Sequence, residues 1–145
     1  MRFPSSIFQP AVPRYVSFRS FWAFAAAGAL TDVAFFVADQ QWLGWTNYLW
    51  VWLAVHHLGY AWRDGRMGSP GRLLVYSALG WFALSILIFK GPYPFAMVGS
   101  PDEDLSNTLP PKITLLALGI AQFGLLLAIE APMRQLLTSL RLWTA

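Results

Sequence analysis

Hydrophobic and polar positions alternate along this chain in blocks rather than residue by residue. From Gln40 to Trp62 there is no Asp, Glu, Lys or Arg, a run of 23 uncharged residues bounded by Asp39 and Arg63. As a helix it is long enough to cross a hydrocarbon core of about 30 Å. Aromatic residues mark both of its ends, Trp42, Trp45 and Tyr48 on one side and Tyr60 and Trp62 on the other, where rings with a polar handle favour the headgroup level. Three further apolar blocks have similar reach: Ser20 to Ala38, Leu73 to Phe89 and Ile113 to Ile129. The pattern predicts four transmembrane helices over about 20–38, 42–62, 73–89 and 113–129. Each of the last two holds only 17 uncharged residues, and Arg72 and Lys90 extend the third by snorkelling to the interfaces.

The stretches between the blocks read as turns and loops. Pro4, Pro10 and Pro13 keep a regular helix from settling before about Tyr15, so residues 1–19 read as a short cytoplasmic leader. Arg63 to Arg72 is a basic turn in which Gly65 and Gly68 end one helix and Ser69 with Pro70 opens the next. Residues 91–111 carry five prolines and the acidic run Asp102-Glu103-Asp104; unpaired backbone there needs water or protein partners, so this reads as an external loop. Pro132 closes the fourth span, and residues 133–145 form an amphipathic cytoplasmic tail or the start of a further span.

Composition strengthens the reading. With 57% hydrophobic and 12% charged residues, a water-soluble fold of this length would lack polar surface, whereas a lipid-embedded one would not. The cationic residues are also unevenly placed. With four spans and both termini inside, Arg2, Arg14, Arg19, Arg63, Arg66, Arg72, Arg134 and Arg141 are cytoplasmic, against Lys90 and Lys112 outside. That is a strong positive-inside bias. The expected fold class is therefore all-α: a multi-pass protein of the cell membrane, its four-span domain covering residues 20–132. Its first partner is the lipid bilayer. No basic groove with stacking aromatics points to nucleic acid. The absence of cysteine removes disulfides and thiolate chemistry.

Few residues could carry chemistry. Asp32 lies well inside the first span, where a carboxylate facing lipid costs at least about 2.5–3.5 kcal/mol, so it must face another helix or a cavity. It reads as a proton-handling or histidine-orienting acid, or as a structural partner for polar groups of another span. His56 and His57 point about 100° apart around a helix. Either could serve as a base near neutral pH or as an interhelical hydrogen-bond partner. Asp32 and His56 are the candidate catalytic residues. Arg63 and Arg66 are candidates for binding a phosphate-bearing donor, or interface charges that set orientation. No spacing suggests a metal site. On the first span, Ala23, Ala27 and Thr31 form a small-residue face suited to close helix approach.

Several ordered segments resemble a known family. Asn47-Tyr48-Leu49, Trp52-Leu53, His56, Leu58-Gly59-Tyr60 and Trp62-Arg63-Asp64-Gly65 are similar to a span of the type 3 membrane acyltransferases. So are Gly91-Pro92-Tyr93-Pro94, Met97-Val98-Gly99, Ser106-Asn107, Pro110-Pro111, Leu116-Ala117-Leu118-Gly119 and Gln122. The resemblance covers about Phe21 to Leu137. It implies an integral membrane enzyme that moves an acyl group, often acetyl, from acyl-CoA to a hydroxyl of a carbohydrate or related envelope acceptor, with acyl-CoA as donor substrate and no bound cofactor. The matching segments belong to the later half of the family's membrane domain, and the family's first-span histidine has no counterpart. The resemblance therefore implies a partial chain that works with a missing N-terminal half. Two other classes remain open: a small membrane accessory protein that docks on a partner helix bundle through Asp32 and the small-residue face, and a proton-coupled transporter using Asp32 and His56.

Overall fold

The computed structural model describes residues 18–99 and 105–143, and among these the structure is all-helical. Helix α1 spans Phe18–Val37, α2 Asn47–Arg63, α3 Pro70–Lys90 and α4 Ile113–Trp143. A 3-10 turn, Gln41–Thr46, leads directly into α2. Among the described residues three helices are long and apolar enough to cross a membrane, α1, α3 and α4; α2, where the sequence predicts the second span, is a helix of only 17 residues and is not one of them. This is a membrane protein of helical hairpins. The leader, apart from Phe18 and Arg19, and the acidic run at 102–104 lie outside the described residues.

The turns follow from local chemistry. At the end of α2, Gly65 takes a left-handed φ of 68°, its amide donates to the Trp62 carbonyl, and the Arg66 amide donates to the Ala61 carbonyl at 2.9 Å. This is the paired pattern by which a left-handed glycine satisfies the last carbonyls of a helix. Ser69 is extended and Pro70 opens α3, where its missing N–H costs nothing. Helix α3 thus reaches 21 residues, longer than the 17-residue apolar core because Pro70 to Arg72 and Lys90 join it.

Helices α1 and α2 form an antiparallel hairpin. Phe24 meets His57, Gly28 faces Val51 and Asn47, Thr31 meets Thr46, and Phe35 lies against Gly44. The pairing continues without a break into the 3-10 turn, which carries on along α1. The approach runs through Gly28, Thr31 and Asp32; of the small-residue face expected at Ala23, Ala27 and Thr31, Thr31 takes part and Ala23 is exposed. Helices α3 and α4 form the second hairpin and approach more closely. A methyl placed on Gly80 would fall 2.6 Å from the Ala121 amide nitrogen, and one on Gly124 2.7 Å from the Leu73 carbonyl oxygen. Between them the Ser77 hydroxyl donates to the Ala121 carbonyl at 2.6 Å. Small residues and one buried hydroxyl are a common way to join helices where lipid offers no hydrophobic drive.

Helix α4 contacts α1, α2 and α3, so it stands at the centre of the bundle. It does not stop near Ile129 as the sequence predicts. It runs through Pro132, and the Glu130–Arg134 ion pair spans the proline on the helix surface at 2.7 Å. A proline in a helix removes one backbone bond, and here an i,i+4 side-chain pair offsets part of that loss.

Candidate functional site

Where α1 nears its C-terminal end, the loop leading into α4 folds down onto it. Asp32 is fully buried there and accepts three hydrogen bonds. The Asn47 amide donates to Oδ1 at 2.7 Å, while the Tyr93 hydroxyl and the Ile113 backbone N–H donate to Oδ2 at 3.1 and 2.8 Å. Ile113 is the first residue of α4, whose opening N–H groups have no partner within the helix. Asp32 is thus an N-cap supplied by another helix, and its negative charge lies at the positive end of the α4 dipole.

The loop itself is tied by Asn107, also fully buried. Its amide donates to the carbonyls of Pro94 and Ala96 at 2.7 and 3.0 Å, and its Oδ1 accepts from the Thr114 hydroxyl at 2.8 Å. The Lys112 amide donates to the Asn107 carbonyl at 2.9 Å. One residue thereby holds the start of the loop and the first turn of α4 through its side chain, and the end of the loop through its backbone carbonyl. The Leu109–Pro110 peptide bond within this segment is cis.

Lys112, which the sequence reading counts among the charges on the outer side, is not a solvated loop charge. It is fully buried, with Nζ 3.1 Å from the centroid of the Phe35 ring and 5.2 Å from that of Phe36. Nζ has no hydrogen-bond acceptor among the described residues. Burial lowers the Lys112 pKa, opposed by the negative charge of Asp32. The Tyr93 hydroxyl is pushed up, first by burial and then by the same charge, so it stays protonated and donating.

The remaining sequence candidates lie elsewhere. His56 is exposed on the outer side of α2, its Nδ1 3.3 Å from the Trp52 carbonyl oxygen. His57 packs edge-on against Phe24 and Tyr60. Phe24 and Asp32 are about 12 Å apart along α1 at 1.5 Å per residue, so neither histidine joins the carboxylate. Arg63 and Arg66 both pair with Asp64, at 3.2 and 2.9 Å, at the opposite end of the bundle. Among the described residues no three His, Asp or Glu side chains come together.

The arrangement is therefore a polar latch. Three of the carboxylate's lone-pair positions are occupied and solvent does not reach it, so the cluster fixes the loop and the start of α4 rather than offering a free acid or base. Sequence reading missed Asn47, Tyr93, Asn107, Lys112 and Thr114 as members. The cost of a carboxylate inside a span was the one signal that pointed to the place.

Comparison of the chain with protein-family models, curated proteins and solved structures gives no match. The geometry and the sequence resemblance carry the functional reading.

Proposed function

We propose that the chain is a membrane-embedded part of a type 3 acyltransferase that moves an acyl group from acyl-CoA to a hydroxyl of an envelope carbohydrate. What supports the reading is where its resembling segments fall. Asn47, Gly91 to Pro94, Ser106-Asn107 and Pro110-Pro111 are separate in sequence, yet Asn47, Tyr93 and Asn107 converge on one latch around Asp32 and the start of α4. Segments that resemble one family and together build one structural unit are a stronger sign than any of them alone.

In this reading the chain lies in the cell membrane with four spans. The 17 residues of α2 supply about 26 Å and the six of the 3-10 turn about 12 Å, together enough for the hydrocarbon core. The arginine-rich turn lies inside and the latch outside. Asp32 holds the outer loop, and acyl transfer draws its reacting groups from beyond the described residues, with Arg63 and Arg66 on the donor side. His56, on the outer surface of α2, faces whatever packs there.

The test is acyl transfer from labelled acetyl-CoA to envelope carbohydrate in source-cell membranes. Deleting the coding region should abolish a defined transfer, restoring it should bring the transfer back, and His56→Ala should reduce it while leaving insertion intact. Unchanged labelling after deletion would overturn the proposal. An immunoblot for the 91–111 loop gives the size of the working unit: a band more than twice 16.3 kDa means one longer enzyme.

A second reading is favoured by one observation: the Asp32 carboxylate is taken up by three donors that hold the loop and the start of α4, and it faces no cluster of other acids or histidines among the described residues. The chain would then be an accessory protein that co-purifies with a membrane partner and leaves acyl transfer unchanged.

A further inference from the structure

Helices α1 and α3 do not touch. Between them, over α4, runs an apolar groove of about 510 Å³. Trp22, Ala25 and Ala29 form one wall, Tyr76 and Ala83 the other, and Ala117 lies in its floor. All three helices are among those long and apolar enough to span a membrane, so the groove lies at the depth of the acyl chains. Its size suits an elongated small molecule rather than a helix.

One end of the groove is basic. Arg19 precedes the wall residue Trp22 by three positions on α1, and Arg72 precedes Tyr76 by four on α3, spacings that place each arginine on the groove side one turn beyond the wall. Both are exposed, and neither has an ion-pair partner among the described residues. The Arg72 side chain folds against Gly68, next to Met67, which itself lines the groove. The opposite end is closed in by Leu87 and Ile113; there Lys112 is buried against Phe35, and Lys90, one turn beyond Leu87, is the single exposed cation among the described residues. The groove is therefore apolar along its length, with two exposed arginines at one mouth against a single exposed lysine at the other.

We infer that this groove holds one acyl chain of an anionic phospholipid, with the phosphate between Arg19 and Arg72. Arginine suits a phosphate because its planar fork of donors matches the phosphate oxygens. The inference does not rest on acyl transfer: it needs only the groove, its two arginines and the bilayer.

The test is lipid retention. The protein is purified from vesicles of equal phosphatidylglycerol and phosphatidylethanolamine, and the lipid that stays bound is extracted and weighed by mass spectrometry at low salt. Phosphatidylglycerol should be enriched. The surface substitution Arg19→Gln should reduce that enrichment about fivefold, and Arg19→Gln with Arg72→Gln about thirtyfold. Ala83→Trp, which fills the groove, should lower retention of both lipids. Equal retention of the two lipids by the unaltered protein would overturn the inference, as would an enrichment that survives the double arginine change. A folded Ala83→Trp variant that keeps its lipid would equally overturn it. The arginine variants alter only exposed side chains, so they remain decisive if the tryptophan variant fails to fold.

Discussion

Replacing Asp32 by Leu and by Asn separates a structural carboxylate from a reactive one. Leucine leaves the Asn47 amide, the Tyr93 hydroxyl and the Ile113 N–H without their acceptor, and removes the charge facing Lys112. A hydrogen bond to a charged group is worth about 1.5–3 kcal/mol, and a buried donor left unpaired costs a similar amount. Because the loop can partly open to water, the three together should cost about 3–5 kcal/mol rather than their full sum. Asparagine is different. Its amide oxygen can take the place of Oδ2 and keep Tyr93 and Ile113. Its amide nitrogen can donate to Asn47 Oδ1, which has no partner at present, once the Asn47 amide turns over and its Nδ2 gives up the acceptor it now has. The charge and the acceptor of one Asn47 N–H are lost while one new bond forms, so Asp32→Asn should cost about 1–2 kcal/mol. Reversible unfolding by SDS in mixed micelles reads both values, and limited proteolysis of the 91–111 loop reports whether the latch has opened. Equal losses for the two variants, or an Asp32→Leu protein within about 1 kcal/mol of the unaltered one, would refute the latch.

Three further outcomes follow from the geometry. Gly80→Ala should destabilise the protein by about 1–3 kcal/mol, since its methyl meets the α4 backbone, whereas Gly59→Ala, with nothing near its added methyl, should be neutral or gain up to about 1 kcal/mol. The same SDS titration compares them. Ionisation followed at 295 nm should show a tyrosine step above the ordinary range near pH 10, missing in Tyr93→Phe. In linkage terms, the stability from the Tyr93 proton is fully present below about pH 10 and is lost as pH rises beyond it. Lys112 acts with the opposite sign: its lowered pKa makes stability rise as pH climbs towards 10.5, so the absorbance step is a cleaner readout than a melting curve. Ser77→Ala should cost about 1 kcal/mol by removing the hydroxyl bond between α3 and α4.

The sequence revealed the helices more readily than the latch, for a physical reason. A membrane span is a local property, set by a run of side chains that lipid tolerates, so α1, α3 and α4 could be placed from composition. Asp32 could be flagged because an unpartnered carboxylate is costly in lipid. Its partners could not be named: Tyr93 and Ile113 lie 61 and 81 residues away, and one of the donors is a backbone N–H that no side-chain pattern marks. Lys112 looked like an ordinary flanking charge because nothing local shows that Phe35 and Phe36 will cover it. The close α3–α4 seam hid for a similar reason. Gly80 and Gly124 lie 44 positions apart, and only the antiparallel register brings each against the facing backbone.

The proposal of four antiparallel crossings with the latch at their outer end turns on the 3-10 turn with α2. Single cysteines in this cysteine-free chain, at Asp39, Arg66 and Leu105, can be labelled in intact cells with a reagent that does not cross the membrane. Positions 39 and 105 should label from outside and position 66 only after permeabilisation. Labelling of positions 39 and 66 from the same side would mean that α2 does not cross, and would contradict the account.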